Sequence, residues 1–146
     1  MPSLTLAFAP EGPILQILVY ASAPRRAALK AAGMPIPKPI SINVLVDTGA
    51  SSTCVDSSQL AKLGIPPSGL IDVHTPSTGS TPVQLSQFDV DLGVVLDNGK
   101  FHLISTLPVI ESNFVSPGVD GLLGRDVLSQ GILIFNGSAK TFTLAF

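Results

Sequence analysis

With 146 residues and a mass of 15.1 kDa, the chain is long enough for one domain and too short for two ordinary ones. Charged residues are only 12% against 45% hydrophobic, too few charges to cover a monomer's surface well, and the simplest partner for the remaining apolar surface is a second copy. A formal net charge of −2 argues against non-specific nucleic-acid binding, and one cysteine with two histidines excludes a disulfide framework and a cysteine-rich or multi-histidine metal site within one chain.

Thirteen glycines and thirteen prolines predict many turns and short strands. Leu4–Phe8 alternates and reads as a short terminal strand, and Ile14–Tyr20 reads as a stronger one. Residues 21–39 form a basic, proline-rich surface insertion with Arg25, Arg26, Lys30 and Lys38 and no acid. Within it Arg26–Ala32 has high helix propensity, and prolines 35, 37 and 39 force an extended path. Ser41–Asp47 is a buried strand running into Thr-Gly. Asp56 as N-cap, Gln59 at the capping-box position and Gly64 as a stop predict a helix over Ser57–Leu63. Ile71–Thr75 and Val83–Leu92 flank a small-residue hairpin tip. Asn98-Gly99 and Asn136-Gly137 are hairpin-turn signals between strands. Asp120–Gln130 reads as an apolar strand, a glycine and a short helix. The longest apolar stretch, Ile14–Ala21, is too short to span a membrane, and the N-terminus lacks the basic segment of a secretory signal. These features favour a cytoplasmic chain, with anchoring through a longer parent chain left open.

The chemistry centres on Val44–Thr53, VLVDTGASST. A buried strand delivers Asp47 into a turn where Gly49 permits close backbone approach, among the small polar residues Thr48, Ser51 and Ser52. A carboxylate at the mouth of an apolar strand must be paired, hydrogen-bonded or neutralised, and no Lys or Arg lies nearby in sequence. Taken alone, Asp-Thr-Gly reads equally as a turn-capping aspartate. Gly121–Leu128, GLLGRDVL, adds a second element: a hydrophobic strand, then Gly124, Arg125 and Asp126 opening a helix.

Together these segments resemble the retropepsin family, the single-lobed aspartic proteases that include the retroviral proteases. VLVDTGASS is similar to the family's active-site strand and loop, and Val73–Leu92 to its flap hairpin and return strand. GLLGRDVL resembles the family's Gly-Arg-Asp/Asn segment, and GILIF its terminal interface region. The resemblance implies a mostly β, single-lobed closed barrel with a flap hairpin and one or two short helices. It also implies a homodimeric aspartic endopeptidase that needs no cofactor or metal and acts on extended, apolar peptide segments. Asp47 would be catalytic, one from each chain. Thr48 and Gly49 would support the dyad. Gly49, Ala50, Ser77, Thr78, Gly79, Val119 and Leu122 would bind substrate, although Leu122 reads equally as core. Arg125 and Asp126 would be structural.

The chain departs from the retroviral pattern in its basic insertion, in an added C-terminal hairpin and at Ser51, where retroviral members often carry an acid that pairs with the arginine. Arg125 must then find Asp126, Asp120 or a carbonyl. A shared-proton mechanism needs two carboxylates, and one chain holds a single Asp in this setting. Asp89, Asp91 and Asp97 read as strand or turn surface residues. His74 and His102 read as partly exposed strand residues, and Cys54 as a buried small hydrophobe. The terminal strands Leu4–Phe8 and Thr141–Phe146 are the expected dimer contact, because they leave edges that a second chain can pair. The alternative function is a catalytically silent peptide-binding or dimerisation module with the same fold.

Overall fold

Side-chain alternation builds the wall of a barrel. The computed structural model describes residues 1–75, 79–114 and 117–146. Its first strands are β1 (Ser3–Ala7) and β2 (Ile14–Ala21). In β2 the side chains of Leu15, Ile17, Val19 and Ala21 point inward and are at most 1% exposed. Helix α1 (Ala23–Ala31) follows, then β3 (Ile40–Val46), β4 (Cys54–Asp56), α2 (Ser57–Ala61) and β5 (Gly69–Val73). The long strands β6 (Val83–Val95) and β7 (Phe101–Ser112) form a hairpin over Asn98-Gly99. The chain ends with β8 (Gly121–Leu123), α3 (Arg125–Leu128), β9 (Ile132–Asn136) and β10 (Thr141–Ala145).

Six strands run in the order β2-β3-β8-β4-β7-β6, and pairing of β2 with β6 closes them into a barrel. Strand β5 hangs from the free side of β6. The short β8 lies between β3 and β4, parallel to the first and antiparallel to the second. A Cβ on Gly121 would lie 2.4 Å from the Cys54 carbonyl oxygen, so only glycine lets β8 approach this closely. The mostly β closed barrel expected from sequence is present.

A second sheet has the order β1-β10-β9. Here the structure corrects the expectation that both terminal strands leave free edges. The terminal strands pair with each other, from Ser3 opposite Ala145 to Ala7 opposite Thr141. Phe142 and Leu144 belong to the core. The outer side of β1 is partly capped: Asp97 N–H donates to Ser3 O, and Asp97 Oδ2 accepts from Thr5 N. The open apolar edge is therefore β9.

Local signals explain where the helices differ from expectation. α1 starts at Ala23 because the Ser22 side chain caps it and Pro24 occupies its first turn. None of its residues is buried. Its anchor is Arg26, whose Nη1 donates to Ala21 O at 2.6 Å and to Asp91 Oδ2 at 3.2 Å. Asp91, read from sequence as a surface residue, is 1% exposed. α2 is capped by Asp56 as expected but ends at Ala61, and Gln59 donates to Asp120 Oδ1 instead of completing a capping box.

Candidate active site

Strand β3 delivers Asp47 to the edge of the barrel. The Asp47 N–H donates to Leu123 O at 3.0 Å, tying the strand's end to β8. Gly49 N–H donates to Asp47 Oδ1 at 2.8 Å, which fixes the direction of the carboxylate. A Cβ on Gly49 would stand 3.1 Å from that same oxygen, so a larger residue would press the carboxylate out of this position by a few tenths of an ångström. Ala50 N–H closes the turn onto Asp47 O at 3.2 Å.

The segment opening α3 holds this loop from behind. Arg125 N–H donates to Ala50 O at 2.9 Å, and Arg125 Nη1 donates to Thr48 O at 2.8 Å. Of the partners open to Arg125 in the sequence, the structure selects a carbonyl. Asp120 is engaged elsewhere, accepting from Asn43 N and Gln59 Nε2. Thr53 is fully buried and donates from both N and Oγ1 to Asp126, at 2.8 and 2.7 Å. Its Oγ1 also accepts from Gly124 N at 3.1 Å. A Cβ on Gly124 would come within 2.6 Å of the Ser52 backbone, so the loop and α3 meet through a glycine. Asp126, inside α3, also accepts from the adjacent Val127 N, so one carboxylate ties the loop to the helix. Thr53 is the functional-site residue that sequence reasoning did not assign. In sequence it is one more small hydroxyl after Ser51 and Ser52, and nothing local marks it as the buried one.

Asp47 lines two cavities. One, of about 420 Å³, is bounded by the loop residues Gly49–Ser52, by Cys54, Ile110 and Leu122 on the barrel, and by Val73, His74 and Thr75 at the end of β5. The other, of about 410 Å³, is bounded by Glu11, Pro13, Leu45, Thr48, Leu133 and Phe135, the last two from β9. Gly49, Ala50 and Leu122 thus gather beside Asp47 in the first cavity, and Thr48 lies in the second. Val119 is 8% exposed and lines neither. Gly79 adopts a left-handed φ of 60° and also stays outside both linings. Ser77 and Thr78 lie outside the described residues.

Cys54 is half-buried at the first cavity, not in the core. Burial, then the nearby carboxylates of Asp126 and Asp47, push its pKa up to about 11, so the thiol stays protonated at neutral pH. His102 stacks on Phe146 with ring centroids 4.0 Å apart, and His74 is exposed just beyond β5. Among the described residues, no group of three or more His, Cys, Asp or Glu is placed to hold a metal ion, and no helix is long and apolar enough to cross a membrane.

Comparisons with known proteins agree with this geometry. Residues 38–127, which span β3 to α3, match the family model described as aspartyl protease. No curated protein matched the sequence. Among solved structures, the chain is similar to a retropepsin-like aspartic protease from Rickettsia conorii, with a TM-score of 0.59 and 15% identity over 97% of this chain and 89% of that one.

Proposed function

The chain belongs to the aspartyl protease family, and from that premise we propose that two copies pair to make a homodimeric aspartic endopeptidase with one Asp47 from each. The observation that carries this reading is a single carboxylate, oriented by Gly49 N–H and open to cavities on both sides. One such group is half of the machinery. An ionised Asp47 takes a proton from water as the water oxygen attacks the peptide carbonyl. The protonated Asp47 of the other copy hydrogen-bonds that carbonyl oxygen. Collapse of the tetrahedral intermediate breaks the C–N bond, and the proton passes to the departing amine. Thr48 and Gly49 hold the dyad, and Arg125 and Asp126 hold the loop that carries it.

Strand β9 supports the pairing. Ile132, Ile134 and Phe135 are 50%, 56% and 62% exposed on a sheet edge with no charged residue. Monomers normally protect such an edge with charge, proline or a bulge. The same strand walls the second cavity at Asp47, so a second copy pairing along β9 would approach the protein on its Asp47 side. The protomer's surface of 7875 Å² also exceeds the roughly 7,000 Å² of a compact monomer of this mass.

Substrates would be extended peptides, bound by backbone hydrogen bonds as added strands, with side chains against Val73, Ile110 and Leu122. The deciding experiment is Asp47→Asn. It should abolish cleavage of an extended apolar peptide while circular dichroism and thermal unfolding stay close to wild type. Normal turnover by the folded variant would overturn the mechanism. Peptide binding without any wild-type turnover would instead favour a silent binding module.

A further inference from the structure

The cavity between Asp47 and the end of β5 has apolar walls and a rim with a single basic residue among those described. Val73, Ile110 and Leu122 provide the walls, and Ser51 and Ser52 provide hydroxyls. His74 is the only basic residue lining it among the described residues. The titratable groups facing His74 across the cavity are Asp47, which the proposed reaction engages, and the uncharged thiol of Cys54. On its own strand the nearest is the exposed Asp72, and the residues of β6 opposite Asp72 and Val73 are the uncharged Gln84 and Val83. A serine at position 51 leaves that part of the rim without an acid. The rim thus offers an incoming side chain one basic group, in the same cavity as Asp47.

We propose that His74 selects peptides carrying a glutamate close to the scissile bond, its methylenes against Val73 and Leu122 and its carboxylate at the imidazole. This rests on the endopeptidase reading and names a substrate class for the same site. A shared-proton dyad works in acid. An imidazolium attracts a carboxylate, which makes the selection one of charge and not of shape alone. Glutamine has the same shape without the charge, and aspartate is one methylene shorter. The contact sits at an exposed rim, so the expected preference is about threefold to fivefold, the size of a partly solvated ion pair.

The test uses peptides in which glutamate, glutamine or lysine is moved through each position flanking one cleavable bond. Two readouts are taken near about pH 5. The first is kcat/KM with the wild-type chain, and the second is binding of the same peptides to the full-length Asp47→Asn chain. At one position glutamate should exceed glutamine by about threefold to fivefold in both. That ratio should fall to about one in His74→Gln, and His74→Glu should favour lysine. Equal glutamate and glutamine values in the wild type, or an unchanged ratio in His74→Gln, would overturn the role of His74. Charge-selective binding without wild-type turnover would uphold it and overturn the peptidase reading; turnover without charge selectivity would do the reverse. Neither binding nor turnover would overturn both.

Discussion

Asp126→Asn should unfold the chain more easily than loss of a helix cap alone would suggest. The Asp126 carboxylate accepts three hydrogen bonds, from Thr53 N at 2.8 Å, Thr53 Oγ1 at 2.7 Å and Val127 N at 2.9 Å. Thr53 has no exposed surface, so water cannot replace a lost partner. Asparagine keeps one carbonyl oxygen, which serves the Oδ1 pair of Thr53 Oγ1 and Val127 N. Its amide then faces Thr53 N–H, donor against donor. A hydrogen bond to a charged group contributes about 1.5–3 kcal/mol, and an orphaned buried donor costs about 1–3 kcal/mol. One bond lost and one donor stranded on the same atom are the same event counted from two sides, so the expected destabilisation is about 2–3 kcal/mol. Asp126→Ala, which removes all three acceptor contacts, should cost about 3–5 kcal/mol. Urea unfolding of both variants beside wild type, at constant slope, measures this directly. A loss below about 1 kcal/mol in Asp126→Asn would mean that the carboxylate does not bear on Thr53, and the account of the loop would be wrong.

Three other outcomes are expected. Ile134→Asp places a charge on the exposed edge of β9 and should leave the fold intact, weaken self-association in sedimentation and lower specific activity on dilution; unchanged association would remove β9 from the interface. Arg26→Ala leaves the Asp91 carboxylate buried with Thr106 N–H as its remaining partner, and should cost about 2 kcal/mol in thermal or urea unfolding. That is less than the about 3–5 kcal/mol of a fully buried pair, because Arg26 itself is partly exposed. Iodoacetamide should modify Cys54 slowly at neutral pH, with a rate that climbs toward about pH 11. The same shift carries a sign for stability: the folded thiol titrates above its ordinary 9.0, so the fold's preference for the neutral thiol is full below that pH and is lost as pH rises toward about 11.

Much of the fold was legible because strands and hairpin turns announce themselves locally. Asn98-Gly99 does join two strands, and the apolar run before Asp47 is a barrel strand. The failures have particular causes. In β6, Val90 and Leu92 face the core, so simple alternation turns Asp91 outward. Asp91 does face outward, paired with Tyr20, but Arg26 of α1 and the N–H of Thr106, at the break in register on β7 where φ is 51°, cover it, so an outward carboxylate is buried. The terminal strands were apolar enough to suggest an intermolecular contact, but nothing local says that they reach each other across the whole chain. In the site, Asp47 and the Gly-Arg-Asp segment stood out as short motifs, whereas the Thr53–Asp126 clamp links residues far apart in sequence through a backbone N–H that no side-chain pattern reveals.

The division between fixed and open surfaces around Asp47 bears on how a half-site is built. Three contacts within one chain hold the loop and its carboxylate: Gly49 N–H on the Asp47 oxygen, Arg125 on the Thr48 carbonyl, and Asp126 on Thr53. None of these bonds involves a second copy, so under the proposed dimer each chain brings them with it. What one chain cannot set is the separation between two carboxylates, and the surface bordering Asp47 on that side is the open, uncharged edge of β9 with its exposed Phe135. Under the proposed dimer the two tasks are therefore separable. Substitutions behind the loop should change activity at every protein concentration, since they disturb the aim of each Asp47. Substitutions on β9 should change it chiefly on dilution, since they disturb only how often two aimed carboxylates meet. A β9 variant whose activity loss did not recover at high protein concentration would contradict that separation.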